Sequence, residues 1–471
     1  MSTKDLCGMT IAEASQHIGD GALLPSEITA ALLDRLSTIQ PRYQPFATLL
    51  EEQAMAEAEQ ADAEIRGGRY RGPLHGIPIG IKDLIDVAGV PTRCGSAASS
   101  DAVAAADATA VARLRAAGAI ELGKTVTHEY AFGATSPPAR CAWDIDCVPG
   151  GSSGGSAVAV AADVAFAALG TDTGSSVRNP ASLNGVVGLK PTYGRVSRSG
   201  VVPCSWTCDH VGVLSKTVQD AALMLTLISG QDMRDPTTSH RPPPTWIPGK
   251  ETQVTVEGSR LGVPENFFFD GIRDDVRTVV DAAVQRLGAL GATLVPVKVP
   301  AVEHSFSVAM VLCLVEGAAL HRRHLRERGP FYSDPVRDFL HAGQLLFGTA
   351  YVDAQRVRSM IAAGVRRTFE DHRLDALLTP TVPLGAVPVG QELVSIAGEE
   401  PTPVMSHYAR LTCAFNLCGV PALTVPCGFD SDRHPVGLQI AGRPFDEETV
   451  LRIGLAYQEA TTWHRECPQL C

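Results

Sequence analysis

The sequence predicts an α/β protein in which a central, twisted mixed β-sheet is covered by helices on both faces. Three observations carry that expectation. Strand-length apolar runs alternate with segments of helical period along nearly the whole chain, the pattern of a sheet layered between helices. Short runs such as "AIELG" and "AFAALG" read as strands buried on both faces. From Arg260 onward the chain spells a compact βαβ unit, "RLGVP", "DDVRTVVDAAVQRLGALG" and "ATLVPVKVP".

Taken in order, the N-terminal part reads helical from Ser26 to Leu36 and from Glu51 to Arg66, with apolar and Ala positions at helical spacing. "HGIPIGIKDLIDV" follows as a strand with Ile77, Ile79 and Ile81 alternating, and "TAVARLRAAG" as an Ala-rich helix capped at Gly118. After the βαβ unit, long helices are predicted from about Val302 to Arg328 and from Tyr351 to His372. "DALLTPT" then reads as a strand, "ALTVPCGF" and "PVGLQIAG" as a strand pair, and "DEETVLRIGLAYQEATTWH" as a closing helix. The stretch "SHRPPPTWIPGKETQ" is a Pro-rich surface loop, too short to mark a domain boundary.

At 471 residues, with 45% apolar and 19% charged side chains, the chain is globular. A net charge of -11 argues against a nucleic-acid or anionic-membrane partner, either of which needs a basic stripe. The twelve cysteines scatter without C-x-x-C pairs and read as buried reduced thiols. The opening "MSTKDLCGMT" has no apolar signal region, and the apolar run near Ala157 to Leu169 contains Asp163 and is too short to span a bilayer. A cytoplasmic location is the expectation.

Two motifs are set aside. Gly118 to Thr125, "GAIELGKT", matches the phosphate-loop spacing, but a helix precedes it and its interior is strand-like. His321 and His324 sit three apart on a helix among Arg322, Arg323 and Arg326, whose charge opposes a cation; a solvated basic face is the reading there, and no metal site is expected.

The segment "PGGSSGGSAVAVAADVAFAALGTDTGSSVRNPASLNG", from Pro149 to Gly185, holds two serine clusters in glycine-cushioned loops around an apolar core run. A linker would not lead straight into such a core. "GSSGG" fits the nucleophile-elbow pattern with Ser153 central, but "RCAWDIDCVP" before it reads as loop, and no later histidine stands out as a base. Pattern alone leaves the elbow open.

A lysine is the stronger clue. The chain has only seven, and Lys82 lies inside the apolar "IPIGIKDLIDVAG". Asp83 is the obvious salt-bridge partner, yet neighbours in a strand point to opposite faces. A desolvated lysine loses its proton more readily and can serve a serine as its base.

On "GPLHGIPIGIKDLIDVAG", "PGGSSGGSAVAVAA" and "GTDTGSSVRNPASLNGVVGLKPTYGRVS", with "LLTPTVPLGAVPVG", "NLCGVPALTVPCGF" and "PVGLQIAGRPFDEET" in the tail, the chain resembles the amidase signature family over nearly its whole length. These are serine hydrolases with a Ser-cisSer-Lys triad. The resemblance implies Lys82 as base, Ser152 as the bridging serine after a cis Gly151 peptide, and Ser176 as nucleophile. It implies an oxyanion hole of the N–H groups of Thr173, Gly174, Ser175 and Ser176, at the start of a short helical turn that contains Pro180. Thr171, Asp172 and Arg178 would support the nucleophile loop, with Ser153 supporting the Ser152 loop. Ser175 stands where many relatives carry Gly, placing a side chain beside the hole. The resemblance further implies one domain over residues 1–471, with an N-terminal helical segment of about 1–70 and a substrate-pocket insertion of about 303–375, helped by "PVMSHYARLTCAFN".

The reaction expected is hydrolysis of a carboxylic amide or related C–N bond of a small molecule through an acyl-enzyme, with no cofactor; a homodimer is the family-based expectation. The rival within the family is the glutaminase subunit of a tRNA-dependent amidotransferase. Its glutamine-reading aspartate lies seven residues before the Asn of the N-L-x-G-x-P block; here that Asn is Asn416 and the position holds Ala409, beside Arg410. A carbamate or urea-type hydrolase is the other alternative, and a catalytically silent binding module on the same scaffold is opposed by the intact Lys82, Ser152 and Ser176.

Overall fold

The computed structural model describes residues 3–245, 254–396 and 398–470. Among the described residues thirteen strands are formed: β1 (Phe46–Leu49), β2 (Pro78–Lys82), β3 (Ile120–Thr125), β4 (Ala167–Asp172), β5 (Val187–Lys190), β6 (His210–Ser215), β7 (Arg260–Pro264), β8 (Thr293–Val297), β9 (Ala376–Pro380), β10 (Leu393–Val394), β11 (Thr402–Pro403), β12 (Ala422–Phe429) and β13 (Pro435–Ala441). Eleven join one sheet in the order β1-β3-β2-β4-β6-β5-β12-β13-β9-β7-β8, and β10 pairs with β11 apart from it. The sheet is mixed. β2 runs parallel to β3 and β4, and β7 parallel to β8 and β9, while the middle of the sheet is antiparallel. Helices pack on the sheet, Gly154–Ala161 against β4 and Asp274–Ala289 against β12 among them. One large core runs through these layers.

The elements read from sequence are present. The helices expected near Ser26 and Glu51 span Pro25–Tyr43 and Glu51–Arg66, and the βαβ unit is β7, Asp274–Ala289 and β8. The strand pair of the tail is the antiparallel β12–β13 hairpin. β1, β5 and β6 and the helices Val218–Ile228 and Asp334–Leu345 go beyond the sequence reading. The four-residue β1 and β5 are too short to display a period, and β6 carries a glycine in mid-run. Of the Pro-rich stretch, residues 246–253 lie outside the described residues.

The stretch Val302–Phe331 is long and apolar enough to cross a membrane by length and composition, more so than the run near Ala157. In the fold its helix, Ser305–Arg328, packs against Asp334–Leu345 and Gly348–His372. His321 on that helix corrects the expectation of a solvated basic face. It is buried against Tyr130 and Phe132, and the Nδ1 atoms of His321 and His324 both meet the Tyr332 hydroxyl, at 2.8 and 2.6 Å.

Two features place the chemistry. Because β2 and β4 are parallel neighbours, with Ile81 opposite Leu169, their carboxyl ends bring Lys82 and Thr171 to the same sheet edge. In open α/β sheets that edge is where ligands bind. Asp83, the residue after β2, turns to the other side and pairs at 2.9 Å with Lys124 of β3, both buried. Lys124 of the phosphate-loop-like spacing is therefore a structural partner inside a strand. Lys124→Met leaves the buried Asp83 carboxylate without its counter-ion, held only by the Arg93 N–H. The expected loss is about 3–5 kcal/mol of stability, read from the shift of the denaturant midpoint.

Candidate active site

Lys82, the last residue of β2, is fully buried. Its Nζ donates to Ser152 Oγ at 2.7 Å, Thr171 Oγ1 at 2.8 Å and Ser153 Oγ at 2.9 Å, with the Thr171 carbonyl at 3.5 Å. Every one of these partners is uncharged. Burial pushes the ammonium pKa down to about 7, against the opposing pull of Cys204, Asp172 and Asp209. The lysine is thus poised to lose its proton near neutrality.

The loop that brings up Ser152 is threaded through a tight gap. The Gly151–Ser152 peptide is cis. A Cβ on Gly151 would stand 2.6 Å from the Thr135 amide nitrogen and 2.7 Å from the Ala134 carbonyl carbon, so only glycine fits there. The Ser152 carbonyl accepts the N–H of His128 at 3.1 Å. His128 joins the site through that backbone bond. Its half-buried imidazole, held down to about 4 by desolvation, faces Thr135 Oγ1. Ser153, the centre of the elbow pattern, follows no strand; it precedes the helix Gly154–Ala161 and is wholly buried. Its Oγ donates to the Thr171 carbonyl at 3.1 Å while accepting from Lys82.

Ser176 lies on the loop between β4 and the helix Arg178–Asn184. The Ser153 N–H donates to the Ser176 carbonyl at 3.1 Å, which ties the two serine loops together across twenty-three positions of sequence. Other carbonyls of this loop are also taken from outside: Gly174 by the Thr412 hydroxyl at 2.7 Å and Ser175 by the Asn179 N–H at 2.8 Å. Within the described residues, the N–H groups of Thr173, Gly174, Ser175 and Ser176 donate to no protein acceptor. All four residues line a cleft.

Asp172 and Arg178 form a buried two-pronged pair, Nε to Oδ2 at 3.0 Å and Nη2 to Oδ1 at 2.9 Å. Burial alone would raise the Asp172 pKa; the Arg178 guanidinium outweighs it and holds the carboxyl well below the usual range. Oδ2 also caps the N–H of Val177 at 3.1 Å, directly after Ser176. Arg178 reaches on to Gln439 Oε1 at 2.7 Å, the Thr412 carbonyl at 2.9 Å and Asn416 Oδ1 at 2.5 Å, while Asn416 Nδ2 returns to Asp172 at 2.8 Å.

Sequence reasoning named Asn416 only as a landmark and missed Gln439 and Asp209. Asp209 holds the Thr173 hydroxyl at 2.7 Å and accepts the N–H groups of Cys204 and Ser205. Gln439 and Asp209 bear on the site only through tertiary contacts; no spacing in the chain signals them.

The cleft beside Ser176 is lined by Phe132, Phe306, Met310, Phe339 and Met405, with Ala409 and the thiols of Cys204, Cys313 and Cys413. Among the described residues, no charged side chain lines it. Arg410 turns away to cap the carbonyl of Gly271 at 2.8 Å.

The amidase family model matches residues 27–451. The chain is 42% identical to an amidase of Pseudomonas putida, over 99% of this chain and 98% of that one. It is 39% identical to a glutamyl-tRNA(Gln) amidotransferase subunit of Roseiflexus sp. (strain RS-1), over 98% of each. A solved chain from a vestigial protein complex, described as revealing the evolutionary origins of an s-triazine catabolic enzyme, superposes with a TM-score of 0.91 at 32% identity, covering 98% of this chain and 100% of its own. With a match of this length and relatives of this identity, the chain belongs to the amidase (amidase signature) family.

Proposed function

We propose that this amide-hydrolysing enzyme works through an acyl-enzyme on Ser176, with neutral Lys82 as the base and Ser152 as the relay between them. The observation that carries the reading is Lys82 itself: a buried lysine whose contacts are hydroxyls and a carbonyl, with its pKa brought down to about 7. Lys82 accepts the Ser152 proton as Ser152 accepts that of Ser176, and Ser176 Oγ attacks the amide carbon. The developing oxyanion rests on the free N–H groups of residues 173–176, each such donor being worth about 3 kcal/mol. When the intermediate collapses the C–N bond breaks, and the proton returns through Ser152 to the departing amine. Water then repeats the sequence on the ester, releasing the acid and restoring Ser176. Asp172 and Arg178 position the nucleophile loop, Thr171 and Ser153 hold Lys82, and Gly151 permits the approach of Ser152.

The cleft supports a small neutral amide with an apolar or aromatic acyl group, since Phe and Met side chains line it without a charge. The Ser175 side chain shapes the wall beside the oxyanion site. Relatives that belong to amidotransferases favour a second reading, a glutaminase component. Ala409 in the cleft weighs against it, because no lining carboxylate is there to meet a substrate ammonium. A carbamate or urea-type substrate fits the same neutral cleft. The reading also takes in the single domain with its pocket insertion over about 303–375, a cytoplasmic location and a homodimer; exposed Leu345, Phe347 and Val352 on the insertion support pairing.

Three outcomes test the reading. Ser176→Ala abolishes turnover with the thermal melt unchanged; a rate within about tenfold of wild type would sink it, because loss of a covalent nucleophile costs orders of magnitude. Ser153→Ala is milder, since Ser152 and Thr171 still hold Lys82, and equal damage from both serine variants would favour the elbow. For Lys82, the protonated form cannot accept a proton, so kcat/KM rises with pH and levels off above the lysine pKa of about 7. Lys82→Arg stays protonated and is inactive; a folded, active Lys82→Arg enzyme ends the triad assignment.

A further inference from the structure

The turn between β12 and β13 meets the loop leading into Gly151 at a side-chain cluster the hydrolytic reading does not use. Asp144 Oδ2 lies 3.3 Å from Cys147 Sγ and 3.5 Å from His434 Nε2. One ligand atom from each of the three side chains falls within 4.8 Å of the other two. Behind the imidazole, His434 Nδ1 stands 3.7 Å from Asp430 Oδ2. Asp430 is buried, and its Oδ1 accepts the N–H groups of His434 at 2.8 Å and Asp432 at 3.0 Å. Its Oδ2 and the His434 Nδ1 are buried atoms without a hydrogen-bond partner. Asp432 is taken by Arg273, at 2.9 Å.

We propose that Cys147 Sγ, Asp144 Oδ2 and His434 Nε2 bind one Zn²⁺ ion, with Asp430 orienting the imidazole from its Nδ1 side. Tetrahedral zinc, with bonds of about 2.3 Å to sulfur and about 2.0–2.1 Å to nitrogen and oxygen, sets neighbouring ligand atoms about 3.3–3.6 Å apart. The two measured separations from Asp144 lie in that interval. A mixed thiolate, imidazole and carboxylate set suits zinc, whereas Mg²⁺ and Ca²⁺ prefer oxygen alone. A carboxylate behind the second ring nitrogen is the usual support of a zinc-bound histidine. The Asp144 side chain is 40% exposed, which leaves solvent access for water as fourth ligand. On binding, the Cys147 thiol proton leaves to solvent, and His434 coordinates as neutral imidazole with its proton on Nδ1. The ion ties the Asp430–His434 turn to a loop that ends at Ser152, five residues beyond Cys147.

The competing account is an imidazolium held between Asp144 and Asp430 with no metal. Titration of the metal-stripped full chain with Co²⁺ separates the two. Zinc-site geometry gives, at one equivalent, a near-ultraviolet thiolate-to-cobalt band and tetrahedral visible bands. Both vanish in Cys147→Ala and persist in Cys467→Ala, whose thiol is exposed. Asp430→Asn keeps the turn through Oδ1 and weakens Co²⁺ binding by about 10- to 100-fold. Zn²⁺ displaces the cobalt and raises the melting temperature of wild type but not of Cys147→Ala. No thiolate band at one equivalent, or a band that survives Cys147→Ala, overturns the site. Should Cys147→Ala not fold, Asp144→Ala at its partly exposed position serves instead, and unchanged Co²⁺ affinity there is equally fatal.

Discussion

The cleft depends on one constraint: the Lys82 amine is buried where no carboxylate touches it. Each acidic group nearby has another partner. Asp83 is paired with Lys124, Asp172 with Arg178 and Asn416, and Asp209 with the Thr173 hydroxyl and two backbone N–H groups. Those commitments keep Lys82 from becoming half of a salt bridge, which would raise its pKa and unfit it for the proposed role of base. Hydroxyls take the place of a counter-ion. They satisfy the amine's hydrogen bonds without supplying a compensating negative charge.

The second organising element is Arg178. Its guanidinium binds the end of β4 through Asp172, the segment around Thr412 and Asn416, and Gln439 of β13. Asp172 in turn caps Val177, and Thr412 anchors the Gly174 carbonyl. The loop of Ser176 is therefore held by its carbonyls and by a buried charge pair, leaving its N–H groups free beside the cleft. A loop held in this way suits the proposed oxyanion site, because its donors are already in place. The same network explains why distant blocks of the chain, near Gly174, Asn416 and Gln439, serve a single site.

Much of this was legible before any fold was known. The βαβ unit from Arg260, the β12–β13 pair and the helix Glu51–Arg66 have strong local periodicity, and they formed as read. Lys82 stood out because a lysine among alternating isoleucines is costly to bury charged, and its separation from Asp83 followed from strand alternation alone. His321 shows the limit of such reasoning. Arginines on both sides suggested a solvated face, but a helix wraps quickly, and the ring turned inward onto Tyr130 and Phe132. β1 and β5 escaped notice because four residues cannot display a period, and they are strands only because neighbouring strands pair with them.

Through the family resemblance the sequence implied Ser152 and Ser176; by itself it determined the α/β class, the helical and strand segments of sufficient length, and Lys82 as the residue to watch. Local chemistry suffices for these, since backbone period and the cost of burying a charge are read over a few neighbours. Tertiary structure alone decided what surrounds them: that Asp83 would go to Lys124, that Arg178 would gather Thr412, Asn416 and Gln439, and that the cleft would be walled by Phe, Met and Cys without a charge. Those choices depend on strand order and on loops meeting across hundreds of residues. No local spacing encodes such meetings, because they arise only when the sheet closes and each buried polar group must find a partner.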